Sequence, residues 1–247
     1  MDLARQDRYI VNGVDLGIRL WQTNNAFRLL SNVGECRVKI TKAVLKVCKV
    51  IVDRQVLNTH KDVMLKDHLP AYPLERAVVK TFAVGKNLFE YKISDIFQGE
   101  VPATLVFGLV LDEGFHGDYK KNPFDFIHAS ISQVGVRVND VPVPSKPYTP
   151  HFGPIHVNSA SVFRALCENH PGVNITQDDY NNGYTLFSFK LQQDGEEGSL
   201  SAVDKGVCDI ELKFSKATEN NMTLIVMAKF PDIFHIENRR QEEYEQH

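Results

Sequence analysis

Residues 208–228 read CDIELKFSKATENNMTLIVMA, and two strand signatures stand side by side in them. In the first, Cys208, Ile210, Leu212 and Phe214 alternate with Asp209, Glu211 and Lys213. Successive side chains of an extended chain point to opposite faces, so this segment carries one apolar face for a core and one charged face. In the second, Met222–Ala228 is apolar on both phases, as for a central strand covered on both sides. The same two signatures recur outward from here. Leu105–Leu111 is apolar on both phases, while Phe187, Phe189 and Leu191 alternate with Ser188 and Lys190. Val134, Val136 and Val138 alternate with Gly135, Arg137 and Asn139, and Asn139-Asp140 offers a turn.

Nearer the start, Val14, Leu16, Ile18 and Leu20 alternate with Asp15, Gly17, Arg19 and Trp21, which predicts a further strand. From Arg37 to Val52 the apolar phase changes parity more than once, the mark of a strand with a bulge or a bend between sheets. Helical spacing is sparse. It is met in Asp53–Asp67, and in Ser159–Asn169, where Val162, Phe163, Leu166 and Cys167 share a face behind the capping residues Asn158 and Ser159. The Pro-rich stretch Val141–Pro154 reads as an ordered loop or edge crossover, because each proline removes a backbone donor.

Many short strands, few helices and long connections predict an all-β, antiparallel two-sheet sandwich with short helices inserted in its loops. Jelly-roll topology is preferred, since its crossings between sheets require long loops, although periodicity alone does not separate it from an immunoglobulin-like order. Length and composition fit one domain over residues 1–240, followed by a charged tail at 241–247.

Composition excludes several function classes. With 43% hydrophobic and 24% charged residues the chain is neither disordered nor collagen-like. Its formal net charge is -3 with Lys and Arg scattered among acids, which argues against direct nucleic-acid binding. No apolar run approaches the roughly 20 residues of a membrane-spanning helix. Met1–Tyr9 is charged and lacks the apolar stretch of a secretory signal, so synthesis in the cell interior is expected, with the sequons at Asn174 and Asn221 unused. Cys36, Cys48, Cys167 and Cys208 show no metal-binding or redox spacing and read as free, buried thiols.

Catalytic and metal-ligating patterns are wanting. His151 and His156 form a close pair in a loop with no third ligand at suitable spacing. Asp178-Asp179 and Glu196-Glu197 are adjacent carboxylates on polar turns, which are usually solvated. There is no GxSxG elbow, phosphate-binding loop or HExxH helix. No catalytic residue, metal ligand or cofactor is assigned, and an enzyme is not expected. The aromatic residues are more suggestive. Phe115, Tyr119, Phe124 and Phe126 cluster in a Gly-containing, charged stretch, where aromatic side chains bury large areas in either a core plug or a contact between molecules.

Seven segments in order carry a resemblance: QDRYIVNGVDLGIRL (6–20), NAFRLL (25–30), AVVKTFAVGKNLFEYKISDIFQGEVPATLVFGLV (77–110), KKNPFDFIH (120–128), VPVPSKPYTPHF (141–152), DDYNNGYTLFSFKL (178–191) and CDIELKFSKATENNMTLIVMAKFPDIFHIENRR (208–240). Together they resemble the major capsid proteins of Polinton (Maverick) elements and adintoviruses. The resemblance implies a hexon-like double jelly roll whose two stacked sandwiches trimerise into pseudo-hexagonal capsomers, with this chain matching the C-terminal sandwich. Relatives carry another sandwich ahead of the segment resembling QDRY. The implied function is a structural one in the virion capsid, with other capsid subunits as partners, trimers when joined to an upstream jelly roll, and minor capsid proteins as further partners. A capsid subunit needs a rigid sandwich and loops that vary without disturbing the core. The loops Gly114–Ile127 and Val141–His156 are therefore the expected subunit contacts, through Phe115, Tyr119, Phe124, Tyr148 and Phe152. Gly183 and Pro123 read as folding residues, at a tight turn and at an interruption of pairing. The alternative is a jelly-roll binding module, domesticated or of the minor-capsid kind, that binds a ligand or protein as lectins or cytokines do.

Overall fold

The structure is a computed structural model that describes residues 8–15, 17–33, 36–64, 66, 70–152, 159–192 and 204–236. Its sheet strands are β1 (Ala71–Val84), β2 (Glu90–Ile93), β4 (Thr104–Leu111), β5 (Ile131–Val138), β6 (Val141–Tyr148), β7 (Phe187–Lys190), β9 (Cys208–Phe214) and β10 (Met222–His235), with β3 (Glu100–Val101) and β8 (Asp204–Lys205) forming a separate two-stranded ribbon. Short helices fill the connections: α1 (Asn25–Arg28), α2 (Arg54–Met64), α3 (Asp112–His116), α4 (Ala160–Asn169) and α5 (Gln177–Asn181).

Ribbon aside, the sheet strands pair first with last (β1 with β10), second with seventh (β2 with β9), third with sixth (β4 with β7) and fourth with fifth (β5 with β6), all antiparallel. This is the nesting of one long hairpin. Rolling that hairpin brings β10 against β4 and β9 against β5, which yields two four-stranded sheets ordered β1-β10-β4-β7 and β2-β9-β5-β6. Two sheets so connected are a jelly roll. The expected all-β sandwich with helices in its loops is what the chain forms.

The core follows from alternation. Leu224, Val226, Ala228 and Phe230 of β10 face Cys208, Ile210, Leu212 and Phe214 of β9 and Val134 and Val136 of β5 in one buried cluster. β4 adds Leu105, Phe107 and Leu109, and β7 adds Phe187 and Phe189. The other phase of β4 is covered as well, with Val106 and Val110 buried, as its two-phase apolar sequence requires. α4 packs on β7 and extends the cluster through Val162 and Leu166.

Three expectations are corrected. The predicted strands at Val14–Leu20 and Arg37–Val52 are absent: the described residues before Ala71 hold two helices and no strand, and Leu16 lies outside the described residues. Alternation fixes which face would be buried, but a strand exists only where a neighbour takes its backbone hydrogen bonds. The Pro-rich stretch is more regular than expected, since Val141–Tyr148 is the strand β6. It lies at a sheet edge, the one place where missing donors are tolerated, and its register against β5 shifts between Val134 and Val136. The thiols are not uniformly buried. Cys208 is, and burial pushes its pKa up to about 12, whereas Cys167 is half-buried and Cys36 and Cys48 are exposed. The sheets occupy residues 71–235, and the tail 241–247 lies outside the described residues.

Candidate assembly interface

In a jelly roll the connections alternate between the two ends of the sandwich. One end here gathers β1–β2, β4–β5, β6–β7 and β9–β10, and it holds the two longest connections, residues 112–130 and 149–186. Hydrogen bonds tie these connections together. Thr218 links two of them, its carbonyl oxygen accepting from Asn87 N (2.7 Å) and its hydroxyl donating to Gly85 O (2.8 Å). Thr223 Oγ1 donates to Asp112 Oδ1 (2.9 Å), Asp112 N donates to Asn221 O (3.2 Å), and Ser215 N donates to Ser130 O (2.9 Å). A long loop fixed this way gives up little further entropy when it meets a partner.

The connection after β4 opens with α3, whose first turn carries Asp112 and Glu113, acids placed where a helix N-terminus favours them. The helix stops at Gly117, whose φ of 97° lies in the left-handed region. A Cβ at Gly117 would lie 3.1 Å from Phe27 N, so glycine here also lets α1 approach. Glu113 then pairs with Lys121. Of the five aromatic residues expected at contacts, three belong to this lobe. Phe115 lies edge-on to His116 at 5.5 Å. Tyr119 accepts a hydrogen bond from Ser31 N at its carbonyl (2.8 Å) and donates from its hydroxyl to Cys36 O (3.2 Å). Phe124, 57% exposed, meets Phe27 edge-on at 5.7 Å. Tyr119 and Phe124 therefore hold the chain's own N-terminal segment, while much of the Phe124 ring stays open.

The other two lie apart from that lobe. Tyr148 leans on Phe189 (5.4 Å), and burial raises its phenol, helped by the Glu168 charge. Phe152 stacks on His128 with ring centroids 4.7 Å apart. Phe115, Tyr119 and Phe124 share one connection, the last two set against the N-terminal segment, and Tyr148 and Phe152 go to internal packing. His151 is exposed, whereas His156 and Glu196-Glu197 fall outside the described residues. Asp179 is occupied by capping: it accepts from Thr176 N and Oγ1 and stands below the usual carboxylate range because of those bonds. Among the described residues no group of three His, Cys, Asp or Glu side chains gathers to hold a metal, and no helix is long and apolar enough to cross a membrane.

Two histidines that spacing did not flag brace the long connections, His128 at this end and His170 against Ser188 of β7. His128 Nδ1 accepts from Ser130 N (3.0 Å), which requires the neutral ring; burial, then the Lys216 charge, lower its pKa. His170 Nε2 lies within hydrogen-bond distance of Ser188 Oγ (3.0 Å), which also accepts from Asn169 Nδ2 (3.1 Å). Burial, then Lys229, lower the His170 pKa against an opposing pull from Glu75. A histidine with a lowered folded pKa binds fewer protons folded than unfolded. Its stabilising effect is complete above the free value of 6.5 and declines as pH falls through 6.5 toward the folded value. Melting should therefore drop by a few degrees between about pH 7.5 and 5.5. The H128N/H170N variant should melt at nearly the same temperature at both; an unchanged slope in that variant would assign the effect elsewhere.

No protein-family model matches the chain. It is 22% identical over 251 aligned positions to "Uncharacterized protein F54H12.2" of Caenorhabditis elegans, a match covering 97% of this chain and 60% of that protein. The chain thus spans about three fifths of the length of the relative it matches.

The outer face of the β2-β9-β5-β6 sheet offers a second, shallower feature: an open cleft lined by Leu88, Glu90, Tyr91, Lys92, Arg137 and Glu211. The Tyr91 ring itself lies on the inner face, beside its buried partner Leu212, with its hydroxyl donating to Ala83 O of β1 (2.9 Å), so the outer face of the cleft is carried by Glu90, Lys92, Arg137 and Glu211.

Proposed function

We propose that the chain is a capsid subunit, the second jelly roll of a double jelly-roll major capsid protein, and that it builds an icosahedral shell through loop-mediated contacts. The observation that carries this reading is the cross-braced end of the sandwich, where two long connections project from a rigid core and present Phe115 and Phe124. The ordered resemblance to Polinton and adintovirus capsid proteins supports it, as does the Pro-rich edge strand β6, which discourages unplanned sheet extension. On this reading the protein is not an enzyme, needs no cofactor, sits in the virion capsid after synthesis in the host cell interior, and meets copies of itself and minor capsid proteins.

Light scattering and electron microscopy of the purified chain, alone and joined to the sequence that precedes it in its genome, test the proposal. Trimers or shells are the expected products. The F115A/F124A variant should abolish them while leaving melting nearly unchanged, because both side chains are partly or largely exposed. Monomers at every concentration in both forms would overturn the reading. A jelly-roll binding module is the second reading, favoured by the cleft at Lys92 and Arg137, where charged groups could hold a polar ligand. Glycan-array binding by a stable monomer, lost in R137A, would decide for it.

A further inference from the structure

Large apolar side chains crowd the exposed segment 37–52. Val44, Leu45, Val47 and Val50 are all more than half exposed, and Ile51 is fully so. Contiguous apolar exposure on this scale marks an unmet partner. The sandwich in residues 71–235 has no vacancy for this segment in its interior, since β9 and β10 are already paired on both sides. An added edge strand fits poorly too. Its apolar residues occupy both phases, Val38, Ile40 and Val44 on one and Leu45, Val47 and Ile51 on the other, which is the composition of a strand buried on both faces.

The segment before it repeats a strand of this same molecule. Val14-Asp15-Leu16-Gly17-Ile18-Arg19-Leu20 matches β9, Cys208-Asp209-Ile210-Glu211-Leu212-Lys213-Phe214, in residue class at six of seven places: apolar at all four odd places, Asp at the second and a basic residue at the sixth, with Gly17 against Glu211 the one difference. In β9 the Asp has a structural task. Asp209 is buried and accepts from Asp95 N (2.9 Å) and Ser94 Oγ (3.3 Å), which fixes the connection leaving β2. Asp15 holds the matching position. After β9 comes the long strand β10; after 14–20, beyond one connection, comes the 16-residue segment 37–52.

We infer that residues 14–52 are the seventh and eighth strands of a second jelly roll, whose first six strands are supplied by upstream residues of a longer form of this polypeptide. The inference rests on the double jelly-roll reading for the topology of that sandwich. It places the boundary between the two sandwiches at α2 instead of ahead of the chain. The seventh and eighth strands are interior in their sheets, so an upstream unit ending before Val14 lacks the middle of both. The two fifths of the C. elegans relative outside the match are longer than Ala71–Lys190, the stretch that carries six strands here.

Hydrogen exchange and thiol labelling on the chain alone, and on the chain joined to the translated sequence that precedes it in its genome, provide the test. In the chain alone, amides of 37–52 should exchange freely and Cys48 should label at once, while Cys208 labels only on unfolding. In the longer protein, exchange across 37–52 should slow about a thousandfold and Cys48 should label slowly. V47D should leave melting of the chain alone unchanged and lower that of the longer protein sharply. Free exchange of 37–52 in the longer protein, or no six-strand reading frame upstream, overturns the inference. So does protection that appears in the chain alone as its concentration rises, which would name a second copy as the partner. Trimers or shells with 37–52 still unprotected would sink this inference and spare the capsid reading; protection of 37–52 without any assembly would do the reverse.

Discussion

F107A should destabilise the chain by about 3–5 kcal/mol, the range for emptying an aromatic site in a packed core. Phe107 is 1% exposed on β4, between β10 and β7. Its ring stacks on Phe189 (5.6 Å, 7° between planes) and meets Phe187 at 5.7 Å. These neighbours belong to a four-residue strand at a sheet edge, and they are held in turn by α4 and Tyr148. Little nearby can collapse into the space, so the cavity contribution adds to the lost transfer energy. At about 2–4 °C per kcal/mol for a chain of this size, melting should fall by roughly 10 °C. F124A serves as the comparison: it removes one edge-on contact with Phe27 and should cost about 1 kcal/mol or less. Equal effects of the two in denaturant titrations would contradict the assignment of Phe107 to the core.

G108A should follow, at about 1–3 kcal/mol, for the opposite reason. A Cβ on Gly108 would stand 2.7 Å from Phe126 Cδ1, 2.9 Å from Leu186 Cδ2 and 3.0 Å from the backbone oxygen of Thr185. Those residues form a flap over the outer face of β4. It is tied down by Ile127 N to Leu109 O (2.9 Å), Phe126 N to Gly183 O (2.7 Å) and Thr185 N to Phe126 O (3.0 Å), so it cannot shift without breaking bonds. Thr185 Oγ1, buried, donates to Tyr180 O (2.7 Å) and anchors the flap to α5. A methyl group at Gly108 should therefore strip exchange protection from the Ile127 amide before the rest of the sheet loosens. Retained protection there, with melting unchanged, would show that the flap gives way freely.

What the sequence made legible depended on how fully each segment reports its surroundings. β9, β10 and β4 were readable because one or both of their faces are buried, and burial writes itself into alternation or into continuous apolar runs. β1 was not, because an edge strand with Glu75, Arg76 and Lys80 keeps its inward residues only partly covered. Residues 14–20 show the converse: their alternation is as clean as that of β9, yet the described ones among them form no strand, because period-two patterning records capacity and not partnership. At the interface the aromatic residues were visible in sequence, but their roles were not. Phe124 meets Phe27 and Phe152 meets His128 through contacts that exist only once distant loops are brought to one end. The bracing histidines left no signal, since a half-buried imidazole with one hydrogen bond, from the Ser130 backbone to His128 or with the Ser188 hydroxyl at His170, needs no motif.

The pairing of β1 with β10 sets a condition on biosynthesis. Val84 lies opposite Met222, and Ala71 opposite His235, so the first strand of the sandwich waits for the last to leave the ribosome. Such high contact order makes folding slow. A stop codon just before Met222 would not merely shorten the sandwich: it would remove the strand that joins β1 to β4 and leave the β1-β10-β4-β7 sheet without its middle, a substrate for chaperones and proteases.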